Sequence, residues 1–372
     1  DPTLGRSNKR MYKDYMATRI HNMIKGKEFI QYRIPGRHII DTMHLAQIED
    51  TRRSEFESVS LKYLAKHLKI AKPDRTYLEG YEIAQMYKTD HKKFMAYLTD
   101  DLEETMGLTK MFLPAYIQMS KIIPINLQDQ VYAGPTQKFA SLFCRDYYKQ
   151  KKAVPMPQEK VIFKGATSNA EAVGLFNNVA KFDVASLYPS IQLVYDIFPK
   201  SDSLGSFKKF LSEFKIERLK YKVLMEEEEK LNGKTKLYEE YNAYQLALKI
   251  LINSFYGVLG NDYFLWNDFA AAGDVTAKGR EILQKMMTTI TDSKCTLISV
   301  DTDGAYFAYP DDVNPHDVLA KVNKAVGEGI DVEFEKEYVR MFSYAGKNYA
   351  ALSKDDKILI KGSAFKNRKK PK

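Results

Sequence analysis

The stretch LISVDTDGAYFAY, residues 297–309, interrupts apolar and aromatic residues with two aspartates one residue apart. Its flanks read as two strands joined by a tight turn, with the acidic residues at an Asp-Gly hairpin. On a strand, Asp301 and Asp303 at i and i+2 point the same way. Two carboxylates held side by side repel, and apolar surroundings make each ionised form more costly. A fold that keeps such a pair either supplies positive charge beside it or leaves it at an ordinary exposed turn. The tetrapeptide alone allows both readings.

A second acidic element lies far upstream. NNVAKFDVASLYPSI reads as a strand, VAKFDV, running into a turn and a short helix, which puts Asp183 at the strand's end. Strands that bring carboxylates together from distant sequence make an oxygen-ligand site suited to Mg²⁺, which takes one or two protein carboxylates plus substrate phosphates. Two such ions clamp the attacking and leaving oxygens of an in-line phosphoryl displacement. Downstream, KILINSFYG places Lys249, Asn253 and Tyr256 at i, i+4 and i+7, on one helix face. A cation, an amide and a ring there suit a triphosphate and a base. Arg218 and Lys222, also i and i+4, give a second basic helix face. Taken singly, each face is more often a solvated helix face than a binding one.

Composition frames these elements. The 372 residues are 44% hydrophobic and 28% charged, with net charge +9, 25 Tyr and 20 Phe. Cations for phosphates and rings for bases suit nucleic acid, and the tail IKGSAFKNRKKPK adds basic residues without an acidic one, but the composition alone reads evenly as a solvated surface with a basic end. No apolar run reaches the length of a membrane span, and DPTLGRSNKR does not read as a signal peptide. Cys144 and Cys295 are too few for a disulfide framework and suit a reducing compartment, the cytoplasm, with the nucleus left open. No internal repeat is present. The first 150 residues read mostly helical, KAVPMPQEK (152–160) reads as a linker, and residues 206–256 read as a helical pair joined near Asn232-Gly233. A further helix precedes the acidic hairpin. VEFEKEYVRMFSYAGKNYAALS and KILIKG read as more strands.

Together these segments resemble family B DNA polymerases. DVASLYPSI resembles the family's motif A, KILINSFYG its motif B and DTDG its motif C. IERLKYK resembles the fingers segment, TAKGR the TxxGR element and KNY the KxY element. FKGA (163–166) resembles the YxG(G/A) element, with Phe163 in place of Tyr. The resemblance implies an α+β fold: a palm of antiparallel sheet with flanking helices, a two-helix fingers insertion, and before them a mostly helical remnant of an RNase H-like exonuclease domain. The corresponding boundaries are 1–151 for the exonuclease-like part, 152–205 for the linker and first palm segment, 206–257 for the fingers and 258–372 for the second palm segment, ending before a thumb.

The resemblance also implies roles. Asp183 and Asp303 would be the main ligands of two Mg²⁺ ions, with Mn²⁺ able to substitute, Asp301 a supporting carboxylate, and the Val184 carbonyl a further ligand. Backbone N–H groups of Ser186, Leu187 and Tyr188 would cradle the phosphates of a deoxynucleoside triphosphate, and Tyr188 would exclude a 2′-hydroxyl. Arg218, Lys222 and Lys249 would neutralise the triphosphate, while Asn253 and Tyr256 would border the new base pair. Primer-template DNA would be held by Phe163, Gly165, Thr276, Gly279, Arg280, Lys347, Tyr349, Lys361 and Arg368. The expected activity is template-directed DNA synthesis by two-metal-ion nucleotidyl transfer.

In the leader, YLTDD resembles the exonuclease motif YxxxD, giving Tyr97 and Asp101, and DPTLGR resembles the tail of a preceding acidic motif. Pro2 and Leu4 fit that tail, so its aspartate is Asp1 or a residue before it. With the first acidic motif missing, the expectation is no proofreading by this chain alone. Without a thumb, weak, distributive and salt-dependent DNA binding is expected. The chain reads as a fragment or as one chain of a split polymerase, partnered by the missing segments or a processivity factor. Short connections hint at a viral source, and no membrane partner is expected. Two rivals are a catalytically weak DNA-binding remnant and another palm-type enzyme such as a nucleotide cyclase. The fingers helices and KILINSFYG argue against the cyclase.

Overall fold

In the computed structural model, which describes residues 18–24, 27–53 and 56–362, the chain forms two units that do not follow one another consecutively. One comprises the residues up to Gly134 together with Arg218–Ala247; the other comprises Pro135–Glu217 and the residues from Leu248 onward.

The first unit opens with a hairpin absent from the sequence reading, β1 (Thr18–Ile24) paired antiparallel with β2 (Lys27–Arg33). Helices α1 (Thr42–Arg53), α2 (Leu61–His67), α3 (Ile83–Thr89), α4 (His91–Ile122) and α5 (Leu127–Tyr132) follow. Helix α4 starts at Asp90, whose side chain caps the Lys93 N–H. One face of α4, with Leu108, Phe112 and Tyr116, packs into a core with Leu45, Leu64 and Val131. Gly107 makes this approach possible: a Cβ there would lie 2.4 Å from Ile70 Cγ2.

The second unit is built on a seven-stranded antiparallel sheet of order β3-β5-β6-β4-β7-β8-β9. Its chain starts with α6 (Pro135–Lys149), then β3 (Ser168–Ala170), β4 (Gly174–Val184) and α7 (Leu187–Val194). The long helices α8 (Ser206–Asn232) and α9 (Lys236–Leu259) come next in the chain, their stretch Arg218–Ala247 belonging to the first unit; they are joined at Gly233, whose φ of +77° suits glycine. Then come α10 (Phe269–Asp292), β5 (Thr296–Asp301), β6 (Gly304–Ala308), α11 (Pro315–Val326), β7 (Val332–Ala345), β8 (Asn348–Ser353) and β9 (Ile358–Lys361). Strand β4 lies in the middle of the sheet, between β6 and β7. Its Phe182 packs against Phe307 and Phe334 on these neighbours; a separate aromatic core has Phe143 against Phe207, Phe264 and Trp266, and Phe255 against Phe139 and Phe207. The segment expected as a linker has no regular structure, and the Asn267 side chain pins it by accepting from the Gln158 N–H at 2.6 Å.

The architecture is α+β, with an antiparallel sheet and flanking helices, as expected. Short elements went unread. Strand β3 has three residues, and α11 follows an Asn314-Pro315 start that resembles a turn as much as a helix cap.

Candidate active site

Strand pairing brings the two acidic elements together. Asp183, near the end of β4, lies opposite Gly304 at the start of β6, while Asp301 ends β5 opposite the same glycine. Thr302 and Asp303 form the turn between them. The Val184 N–H donates to the Asp303 carbonyl at 2.7 Å, and the Thr302 N–H to the Thr167 carbonyl at 3.1 Å. Gly304 is required by close approach: a Cβ there would lie 2.6 Å from Asp183 Oδ1 and 2.7 Å from the Phe182 carbonyl oxygen.

The electrostatics follow from this crowding. Burial, followed by the charge of Asp303, pushes the Asp183 carboxyl up to about 6. Burial and the charge of Asp301 likewise raise Asp303 above the ordinary carboxylate range. Two lysines oppose the repulsion. Lys181 Nζ lies 3.3 Å from Asp183 Oδ1 and pairs with Glu335, and Lys347 Nζ lies 3.0 Å from Asp301 Oδ1. Burial works against the Lys181 ammonium, yet Glu335 and Asp183 hold its pKa above the ordinary lysine value.

The turn after β4 links this pair to α9. Ser186 has φ +51° and ψ +55°, a left-handed conformation that turns the chain into α7. Its hydroxyl donates to Asn253 Oδ1 at 3.4 Å. The Tyr188 and Tyr256 rings meet with centroids 4.2 Å apart. Leu187 is buried, and Gly279 on α10 faces Tyr188, where a Cβ would lie 3.2 Å from Cε1. Burial and the charge of Asp303 raise the Tyr188 pKa, and burial pushes Tyr256 up to about 12. Lys249 and Asn253 are exposed, in line with the shared helix face.

Other sequence candidates have internal partners. The buried Thr276 hydroxyl donates to the Lys164 carbonyl at 2.9 Å, and the Arg280 guanidinium to the carbonyls of Lys164 (2.8 Å) and Gly165 (2.6 Å). The Phe163 side chain sits against Gly260 and Gly273, where a Cβ would come within 3.3 Å of its ring Cζ and 3.4 Å of its Cβ, respectively. Lys347 occupies the β7–β8 turn at φ +59°. Tyr349 is buried, with its hydroxyl 2.6 Å from that of Tyr306. Lys361 is exposed on β9, while Arg368, Asp1, Pro2 and Leu4 lie outside the described residues.

Arg218 and Lys222 stand on α8 in the stretch grouped with the first unit, where Lys222 Nζ lies 4.0 Å from Glu226. Tyr97 and Asp101 also belong to that unit. Asp101 Oδ1 accepts from Arg75 Nη2 at 2.5 Å, and the same guanidinium pairs with Glu104. Burial, then the Asp101 hydrogen bond, raises the Tyr97 pKa.

Lys181 and Glu335 escaped the sequence reading. The available signals were a lysine two residues before Asp183, hence on its face of the strand, and the acid-rich VEFEKE.

The donor set fits a hard divalent cation: one carboxylate near the end of β4 and one in the β5–β6 turn, with burial and the charge of Asp303 disfavouring ionised Asp183, and burial and the charge of Asp301 disfavouring ionised Asp303. Among the described residues no group of three or more His, Cys, Asp or Glu is arranged to hold a metal ion. Mg²⁺ that takes its other oxygens from substrate phosphate and water needs only one or two carboxylates. No helix among the described residues is long and apolar enough to cross a membrane.

A central antiparallel sheet with an acidic pair at its strand ends, flanked by long helices, defines a palm-type architecture. Residues 198–370 match the model for DNA polymerase family B. The chain is 26% identical over 353 residues to a DNA polymerase of Archaeoglobus fulgidus, covering 89% of this chain and 44% of that protein. It is 26% identical over 364 residues to DNA polymerase 2 of Aeropyrum pernix, with the same coverages. The family B DNA polymerase structure from Pyrobaculum calidifontis superimposes with a TM-score of 0.68 at 23% identity, covering 89% of this chain and 46% of that one. The resemblance to family B DNA polymerases is thus borne out in fold and in sequence. The chain spans less than half the length of these curated relatives.

Proposed function

We propose that this chain carries the nucleotidyl-transfer centre of a DNA-directed DNA polymerase, with Asp183 and Asp303 as its principal cation ligands. The observation carrying this reading is the pairing of Asp183 opposite Gly304, which sets the Asp303 turn beside it. The reaction is attack of a primer 3′-oxygen on the α-phosphorus of a deoxynucleoside triphosphate. A new P–O bond forms, the bond to pyrophosphate breaks, and the hydroxyl proton passes to water. Divalent ions, when bound, supply Lewis-acid stabilisation of the charge on the attacking and leaving oxygens.

The chain's own residues hold and orient the reactants. Asp183, Asp303 and the Val184 carbonyl are the proposed cation ligands, with Asp301 in support. The left-handed turn at Ser186 presents backbone N–H groups of residues 186–188 at the start of α7, which suits phosphate oxygens. Tyr188, steadied by Tyr256, is the proposed sugar gate. Lys249 is the proposed triphosphate cation of this centre, and Asn253 and Tyr256 the border of the base pair. Arg280 and Thr276 are proposed to act on DNA largely by shaping the 163–165 segment that they hold, and Gly279 by leaving room for the Tyr188 ring. Residues 206–257 are proposed as the fingers, those on either side as the palm, and the leader as an exonuclease-like remnant.

Single-nucleotide incorporation on a labelled primer-template tests the reading. Wild type should extend the primer in Mg²⁺, and Asp303→Asn should fall to background while keeping its fold. Extension by Asp303→Asn at near the wild-type rate would contradict it.

A further inference from the structure

We propose that Lys181 is a positioning residue: its ammonium is a resident counter-ion that fixes the Asp183 carboxylate and sets how tightly a divalent cation binds beside it. The inference rests on the reading of Asp183 and Asp303 as cation ligands. Lysine usually extends its charge into water along an apolar stem. Here the Lys181 side chain is only 16% exposed, and its ammonium is held from three sides. Asp183 Oδ1 lies 3.3 Å away, Glu335 forms an ion pair with it, and the Tyr306 ring centroid is 5.6 Å distant. That ring is itself fixed, because the Tyr306 hydroxyl meets that of Tyr349 at 2.6 Å.

The backbone supports the arrangement. Lys181 pairs with Lys336 across the β4–β7 ladder and Phe182 with Phe334, which leaves Glu335 as an extra residue in a β-bulge. Bulges re-aim a side chain, and this one directs Glu335 at Lys181. Asp183 therefore has Lys181, and Asp301 has Lys347, while no ion pair to Asp303 occurs among the described residues. Asp303 is left as the carboxylate open to an incoming ion. A divalent cation at Asp183 and Asp303 would meet the Lys181 charge a few ångströms away, and Glu335 is placed to retain the ammonium when it leaves Asp183. Lys181 thus competes with the cation while keeping the carboxylate in register.

Equilibrium titration with Mn²⁺, followed by the paramagnetic resonance of the free ion, tests this without relying on turnover. Lys181→Met should bind Mn²⁺ about tenfold more tightly than wild type, whereas Lys181→Arg, which keeps the charge, should stay within about twofold. In an Asp183→Asn background, Lys181→Met should change nothing. If Lys181→Met does not fold, Lys181→Gln carries the same expectation. Wild-type Mn²⁺ binding that Asp183→Asn weakens, with Lys181→Met equal to or weaker than wild type, would overturn the role of Lys181 alone. Wild-type binding that is absent, or indifferent to Asp183→Asn, would overturn the cation-site reading and this inference with it.

Discussion

Asp183 is ionised at neutral pH only against burial and the charge of Asp303, so in the absence of a cation it strains the fold. An acid whose folded pKa exceeds its unfolded value destabilises the fold in its charged form. The cost is present above the folded pKa, here about 6, and disappears as pH falls toward the unfolded value of 3.8. The full shift corresponds to about 3 kcal/mol, and the partial exposure of the carboxylate reduces this to about 1–2 kcal/mol. Without divalent ions, Asp183→Asn should therefore be more stable than wild type by about that amount near pH 8, and the gap should close near pH 4. Urea melts of both proteins at the two pH values check this. A variant less stable than wild type at the higher pH would show that the Lys181 pairing outweighs the repulsion.

At the scale of elements, legibility followed pattern length. The hairpin β5–β6, strand β4 and helices α8–α10 were readable because apolar periodicity and Asn-Gly or Asp-Gly turns reinforce one another. The shared face of Lys249, Asn253 and Tyr256 was readable for the same reason. The β4–β7 bulge was not, because a single extra residue in a strand leaves no periodic trace, and Glu335 was missed with it. Arg75 was missed likewise. Nothing in AKPDRTY announces that its guanidinium is buried on α4 between Asp101 and Glu104. That network ties the segment before α3 to α4, with Thr76 N–H also donating to Asp100 Oδ2 at 2.8 Å. Removing one partner of a buried ion pair leaves the others uncompensated, so Arg75→Met should lower stability by about 3 kcal/mol or more. A urea midpoint unchanged by far-UV circular dichroism would show that Asp101 and Glu104 find water instead.

For the molecule as a whole, the net charge of +9 and the tail beyond β9 favour contacts with phosphate over contacts with bases. Binding to duplex DNA of unrelated sequences should be of similar strength, and log affinity should fall linearly with log salt. Fluorescence anisotropy across a salt series measures this, and affinity that is flat in salt would argue against an electrostatic interface.

The proposed function requires Asp183 and Asp303 to act as one cation site. Calorimetric titration of Mn²⁺ into wild type, Asp183→Asn and Asp303→Asn tests that directly. Wild type should bind Mn²⁺, and each substitution alone should abolish most of that binding while leaving the melting temperature equal or higher. Binding by Asp303→Asn as tight as that of wild type would contradict the account.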